Sequence, residues 1–174
     1  MALVTFLRGV NVGGHRAFRP SVLASELKEY GVVNIGAAGT FVICEPVSQK
    51  RLRSELLRRL PFETEVIMCT GQELSAAVSD APFEGEHTRF DVIRFVSVLA
   101  KPPKVPPPIP LRIPQEGNWL LKILSRSDRF LFGVYRRQMK AIGCLGSIDK
   151  LFGSPATTRN WTTISAILKV LEKA

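Results

Sequence analysis

A mixed α/β (α+β) fold is predicted by three features of the sequence. Short apolar runs of strand length alternate with helix-period segments through residues 1–80. Residues 81–174 carry further strands around a proline-rich border and end in an amphipathic helix. With 174 residues, 45% of them apolar, the chain can bury roughly 70% of the surface its unfolded form exposes, without disulfides or metals.

Leu3 to Leu7 is an apolar run read as a buried strand, and the turn-rich RGVNVGG follows from Arg8 to Gly14. The segment RPSVLASELKEYG places Leu23, Leu27 and Tyr30 on one helical face, with Gly31 as its stop. Val32 to Ile35 and Thr40 to Cys44 read as two strands separated by Gly36-Ala37-Ala38-Gly39. Ser48 caps a second helix whose Leu52, Leu56 and Leu60 recur at four-residue spacing. Val66 to Cys69 supplies a fourth strand. The order β-α-β-β-α-β predicts a ferredoxin-like first half, four antiparallel strands under two helices. A further helix from Gln72 to about Ser79 leads onward.

In the second half, predicted to be a smaller α+β part packed against the first, Val92 to Leu99 reads as a strand. Seven prolines then fall between Lys101 and Pro114. Proline lacks the amide donor and fixes φ, so this piece is an extended connector or sheet border. Trp119 to Leu124 and Phe130 to Tyr135 read as paired strands joined through Ser125 to Arg129. A short helical turn is expected from Asp149, and a final helix aligns Trp161, Ile164, Leu168 and Leu171 in one apolar stripe. The expected division is 1–80 and 81–174, forming one compact unit.

No segment approaches the ~20 apolar residues of a membrane span. Ala2 to Leu7 is too short for the apolar region of a signal peptide and lacks a basic lead. Cys44, Cys69 and Cys144 are an odd count without a CxxC pair. A cytoplasmic protein with no membrane partner is therefore expected. The net charge of +9 is uneven: 10 Lys and Arg face 11 Asp and Glu through Asp91, then 14 face 4. Such asymmetry suggests an anionic partner, or else a solvated basic surface.

Two segments, FLRGVNVGG (Phe6 to Gly14) and ATTRNWTT (Ala156 to Thr163), resemble the bacterial domain-of-unknown-function 1697 family. Its members open with a strand and an LRGxNVGG loop and finish at a TTRNWxT helix start. The strands around Gly39 and the Pro82-Phe83 step fit the same layout. The resemblance implies a ferredoxin-like architecture with an appended or duplicated second half, and no known activity. One departure stands out: where the family carries a polar QSGN step, this chain has Ala37-Ala38-Gly39-Thr40. The glycine is kept, but two hydrogen-bonding side chains are missing.

Three candidate sites follow. In the first, Arg8, Asn11, Gly13 and Gly14 combine a guanidinium with glycines that let amides converge on an anion. The spacing matches neither a Walker loop nor GxGxxG. The structural reading is a tight strand-to-helix connection with Asn11 bonded to its own backbone. In the second, Thr158 or Asn160 caps the last helix, Arg159 reinforces positive potential there, and Trp161 stacks on a ring. The structural reading puts Trp161 in the core and pairs Arg159 with a carboxylate.

The third is the basic run Lys122, Arg126, Arg129, Arg136, Arg137 and Lys140, interleaved with Trp119, Phe130, Phe132 and Tyr135. Phe130, Phe132 and Val134 share one parity and read as core. His15 abuts the glycine loop and His87 lies in a second loop-like segment, yet no catalytic constellation, metal motif or cofactor signature emerges. The first expectation is a small-anion or nucleotide-like, phosphate-containing ligand held where the Arg8 to Gly14 loop meets the Thr158 to Trp161 helix start. The second is nucleic-acid binding by the basic run, and the third a scaffold or oligomer subunit. No residue pattern names an enzymatic reaction.

Overall fold

The computed structural model describes residues 1–11 and 17–174, with mixed α/β architecture and two antiparallel sheets. Contacts divide the chain into two compact units. One comprises Met1–Ser75 with Ser165–Ala174, the other Ala76–Ile164.

In the first unit, strands β1 (Leu3–Leu7), β2 (Val32–Asn34), β3 (Thr40–Ile43) and β4 (Val66–Thr70) lie in the order β2-β3-β1-β4. Every pairing is antiparallel, with Val4 opposite both Val42 and Cys69. Helix α1 (Pro20–Glu26) is followed by a 3-10 turn at Lys28–Tyr30, and α2 spans Gln49–Arg59. This is the ferredoxin-like arrangement that the element order predicts. One sheet face presents Leu3, Leu7, Phe41, Ile43 and Met68, and it meets Leu23, Leu27 and Tyr30 with Leu52, Leu56 and Leu60. Burying a leucine of this kind is worth about 1.5–3 kcal/mol, so the two helical stripes hold the layers together. Ser48 caps α2 as expected, accepting from the Arg51 amide at 3.2 Å.

The β2–β3 turn explains why glycine stands at position 39. Its φ is +73°, and a Cβ there would come within 2.8 Å of Leu7 and Val10 side-chain carbons. Its carbonyl accepts the Leu7 amide at 2.8 Å, which closes the turn onto the end of β1.

The second unit is built on β5 (Val92–Leu99), β6 (Leu111–Ile113), β7 (Leu121–Ser127), β8 (Phe130–Arg136) and β9 (Ala156–Asn160). Their order is β6-β7-β8-β5-β9. The proline-rich border runs into the short edge strand β6, which Pro110 and Pro114 flank. The β7–β8 hairpin turns at Asp128 (φ 52°), and Trp119 lies just before β7 rather than inside it. At the centre of the sheet stands Gly133, opposite Phe95. A Cβ there would fall 2.3 Å from the Lys122 carbonyl and 2.6 Å from the Phe95 ring, so only glycine fits.

One face of this sheet carries Phe95, Leu99, Leu121, Ile123 and Leu131. Against it pack Cys144 and Leu145 of α4 (Met139–Leu145) and Ile148 and Phe152 of α5 (Ile148–Phe152). The other face carries Phe132, which meets Phe83 edge-on at 6.0 Å; Phe83 in turn meets Trp161 at 5.0 Å. Helix α3 (Gly71–Ser79) and helix α6 (Trp161–Leu171) complete the chain.

Two elements differ from the sequence expectation. Helix α4 has only seven residues with two exposed apolar side chains, Met139 and Ile142, so it lacks the stripe that announces a helix. Of the two expected caps, Thr158 lies instead in strand β9, because Thr157 and Thr158 are β-branched and settle into a ladder with β5.

Candidate functional site

In the first unit, Arg8 follows β1 directly. Its Nη1 donates to Glu65 at 2.6 Å, and both side chains are about half exposed. Its carbonyl accepts from the Thr64 hydroxyl at 2.6 Å. Arg8, Gly9, Glu63, Thr64 and Glu65 line an open hollow of about 560 Å³. Two carboxylates therefore face one guanidinium, which leaves the hollow with no surplus of positive charge.

Asn11 has φ 54° and bridges two other segments instead of its own backbone. Its Nδ2 donates to the Ala37 carbonyl at 2.7 Å, and its Oδ1 accepts from the Phe18 amide at 2.9 Å. The Ala37-Ala38-Gly39 step thus meets the first motif through a main-chain carbonyl, a contact that needs no polar side chain at position 37. Gly13, Gly14 and His15 lie outside the described residues.

In the second unit, Thr158 sits inside β9 rather than at a helix start, and its hydroxyl lies 2.5 Å from that of Ser97 on β5. Asn160 caps α6, its Oδ1 accepting from the Thr163 amide at 2.9 Å. Arg159 points to the opposite face from Thr158 and is only 8% exposed. It donates to the Thr157 hydroxyl at 2.7 Å and to the Thr158 carbonyl at 2.9 Å. Burial pushes its guanidinium down to about 10, which still leaves it charged at neutral pH. Trp161 is half-buried against Phe83.

The basic run does not form one patch. Arg126 and Arg129 stand at the tip of the β7–β8 hairpin, while Arg136, Arg137 and Lys140 gather about 20 Å away, beyond the far end of β8. Arg126 donates to the Asp128 carbonyl at 2.7 Å, and Arg129 lies over the Phe130 ring. At the far end, Lys122 and Arg136 both lie against Trp119, at 4.3 and 4.1 Å from the ring centre. Arg112 on β6 faces Lys122 across the strand pair. Arg136 also donates to the Trp119 carbonyl and to Asp91, at 3.0 and 3.2 Å. Arg137 donates through Nε to the Phe90 carbonyl at 3.0 Å. Trp119 is 9% exposed and so holds cations in place without offering its ring to a ligand. Lys140 is exposed on α4.

Sequence reasoning missed a cleft of about 430 Å³ in the second unit, whose lining includes Asp80, Glu84, Glu86, Arg126 and Phe132. The acidic spacing across residues 80–86 was its only signal, and three carboxylates suit a cationic group. His87 is exposed. Among the described residues, no three of His, Cys, Asp or Glu come together to hold a metal ion. Among them, too, no helix is long and apolar enough to cross a membrane.

The model of a family described as protein of unknown function (DUF1697) matches residues 1–108. The chain belongs to this family. The match includes the first motif and the Asn11–Ala37 contact and ends before Ala156–Asn160. Among solved structures, this DUF1697 chain is similar to the conserved bacterial protein SP0830 from Streptococcus pneumoniae. The two share 15% identity with a TM-score of 0.60, over 98% of each chain. That likeness extends the shared fold beyond the family match. No curated protein matches the chain.

Proposed function

We propose that this DUF1697 protein binds an anionic ligand in the cytoplasm, and that the ligand is a polyanion of nucleic-acid type. The contact surface is the far end of the β7–β8 hairpin, formed by Lys122, Arg136, Arg137 and Lys140. One observation carries this reading: Lys122 is held by an aromatic ring, Arg137 by a carbonyl, and Arg136 by both, with Asp91 as a further partner of Arg136. A ring or a carbonyl fixes a cation without cancelling its charge. Thirteen Lys and Arg against seven Asp and Glu give the second unit a balance of +6. By contrast, Arg8 faces Glu63 and Glu65, and Arg159 is buried. The smaller anion site expected around those two arginines is therefore the weaker reading.

The test is binding of short single-stranded RNA and of polyphosphate to the full chain at about 50 and 200 mM salt. Affinity should fall steeply with salt as counterions are released, and Arg137→Glu with Lys140→Glu should weaken it at least about tenfold. Absence of salt-sensitive binding to either polyanion would overturn the reading and favour a scaffold or oligomer role.

A further inference from the structure

Phe90 is the most exposed large apolar side chain in the molecule's described part, at 91%. A single exposed apolar side chain is ordinary by itself, and the interest of this one lies in the basic groups around it. The backbone that carries it is held on both sides. Its own carbonyl accepts from Arg137 Nε at 3.0 Å, and the neighbouring Asp91 carbonyl accepts from the Arg137 amide at 2.9 Å. Arg89 and Arg136 both reach the Asp91 carboxylate at 3.2 Å. Two arginines thus meet one carboxylate beside the exposed ring, and a third holds the main chain there. Arg137 is exposed, and apart from Nε its side chain makes no hydrogen bond among the described residues.

We infer that Phe90 is a stacking platform for a base of single-stranded nucleic acid, with Arg137 and Lys140 contacting the adjoining phosphates. This inference rests on the polyanion reading above and names its ligand class. Every base has a π-face, and stacking on an aromatic ring beside basic residues is how single strands are held without sequence preference. A duplex hides those faces. A lipid surface is disfavoured because α4 has only seven residues and two exposed apolar side chains, Met139 and Ile142, too little for an interfacial helix.

The experiment compares wild type, Phe90→Ala and Phe90→Trp for binding to a labelled single-stranded RNA of about a dozen nucleotides. Polyphosphate, which has charge but no bases, is the second probe, and anionic phosphatidylserine vesicles are the third. Because the ring lies in water, Phe90→Ala should melt within a degree or so of wild type. It should weaken RNA binding about five- to a hundredfold, leave polyphosphate binding within about twofold, and be rescued by Phe90→Trp. Equal losses for RNA and polyphosphate, or an unchanged RNA affinity, would overturn the inference while the polyanion reading stands. Polyphosphate binding without RNA binding would overturn the inference and narrow the reading above to polyanions without bases. Vesicle binding that depends on Phe90, Met139 and Ile142 in the absence of RNA binding would replace it with a lipid surface. Failure to bind either polyanion removes both readings.

Discussion

In the first unit Arg8, Arg58 and Arg59 pair with carboxylates, whereas in the second Arg94, Arg112 and Arg137 rest on carbonyls or rings and Arg89 and Arg136 share one carboxylate, Asp91. Arg8 meets Glu65, Arg58 and Arg59 share Glu55, and Arg59 also reaches Glu26 at 4.0 Å. In the second unit, Arg94 lies over Phe83 and donates to the Glu86 carbonyl, Arg112 to the Gly117 carbonyl and Arg137 to that of Phe90. Lys122 and Arg136 lie against Trp119. A carboxylate cancels the charge it binds; a carbonyl or a ring quadrupole orients the charge and leaves it acting on the surroundings. The contrast matches the balances of +3 for the first unit, from eleven bases and eight acids, and +6 for the second. Ordered side chains and high surface potential are therefore compatible, provided the partners are neutral.

The strongest test of this contrast is Trp119→Ala. Removing a nearly buried indole should lower unfolding stability by about 3–5 kcal/mol, read from urea melts. It should also release Lys122 and Arg136, weakening polyanion binding although no charge has been deleted. A loss below about 1 kcal/mol would mean that the ring does not organise these cations.

Arg8→Ala should have a much smaller effect, at most about 1 kcal/mol, because the Arg8–Glu65 pair is half exposed and screened. High salt should erase that difference, whereas it should leave the Trp119→Ala deficit in place. A large, salt-independent loss at Arg8 would break the comparison from the other side.

The smallest effect is expected at Glu55. Hydrogen bonds from Arg59 first, then Arg58, hold its carboxyl below its usual 4.5. A depressed folded-state pKa means the contribution is complete above the unfolded value and is lost as pH falls below about 4.5 toward the folded one. Glu55→Gln should therefore lower the melting temperature slightly at neutral pH and converge with wild type in acid, which flattens the acid limb. An identical acid limb in both proteins would show that the pair is not formed in solution.

Much of the first unit was legible in the chain because its signals are local. Leucines at four-residue spacing, Ser48 before a helix and Gly31 after one act within a turn or two. The second unit was less so. Thr157 and Thr158 have the polar character of helix caps, and only the ladder with β5 makes them a strand. Of the candidate site, the basic run was visible as composition, but Phe90 was not. A phenylalanine in a short polar loop has no periodicity to mark it, and its exposure is a property of the folded surface.

By itself, then, the sequence determined the order of elements in the first unit, its helical layer and the concentration of positive charge toward the C-terminus. Short-range periodicity, capping chemistry and residue counts suffice for those. Helix spacing sets Arg58 and Arg59 against Glu55, but tertiary structure alone decided the long-range partners. Arg8 and Glu65 are 57 positions apart, and Ser97 and Thr158 are 61. Whether an arginine is cancelled, buried or presented depends on which distant group the fold brings within about 3 Å, and no local pattern encodes that distance.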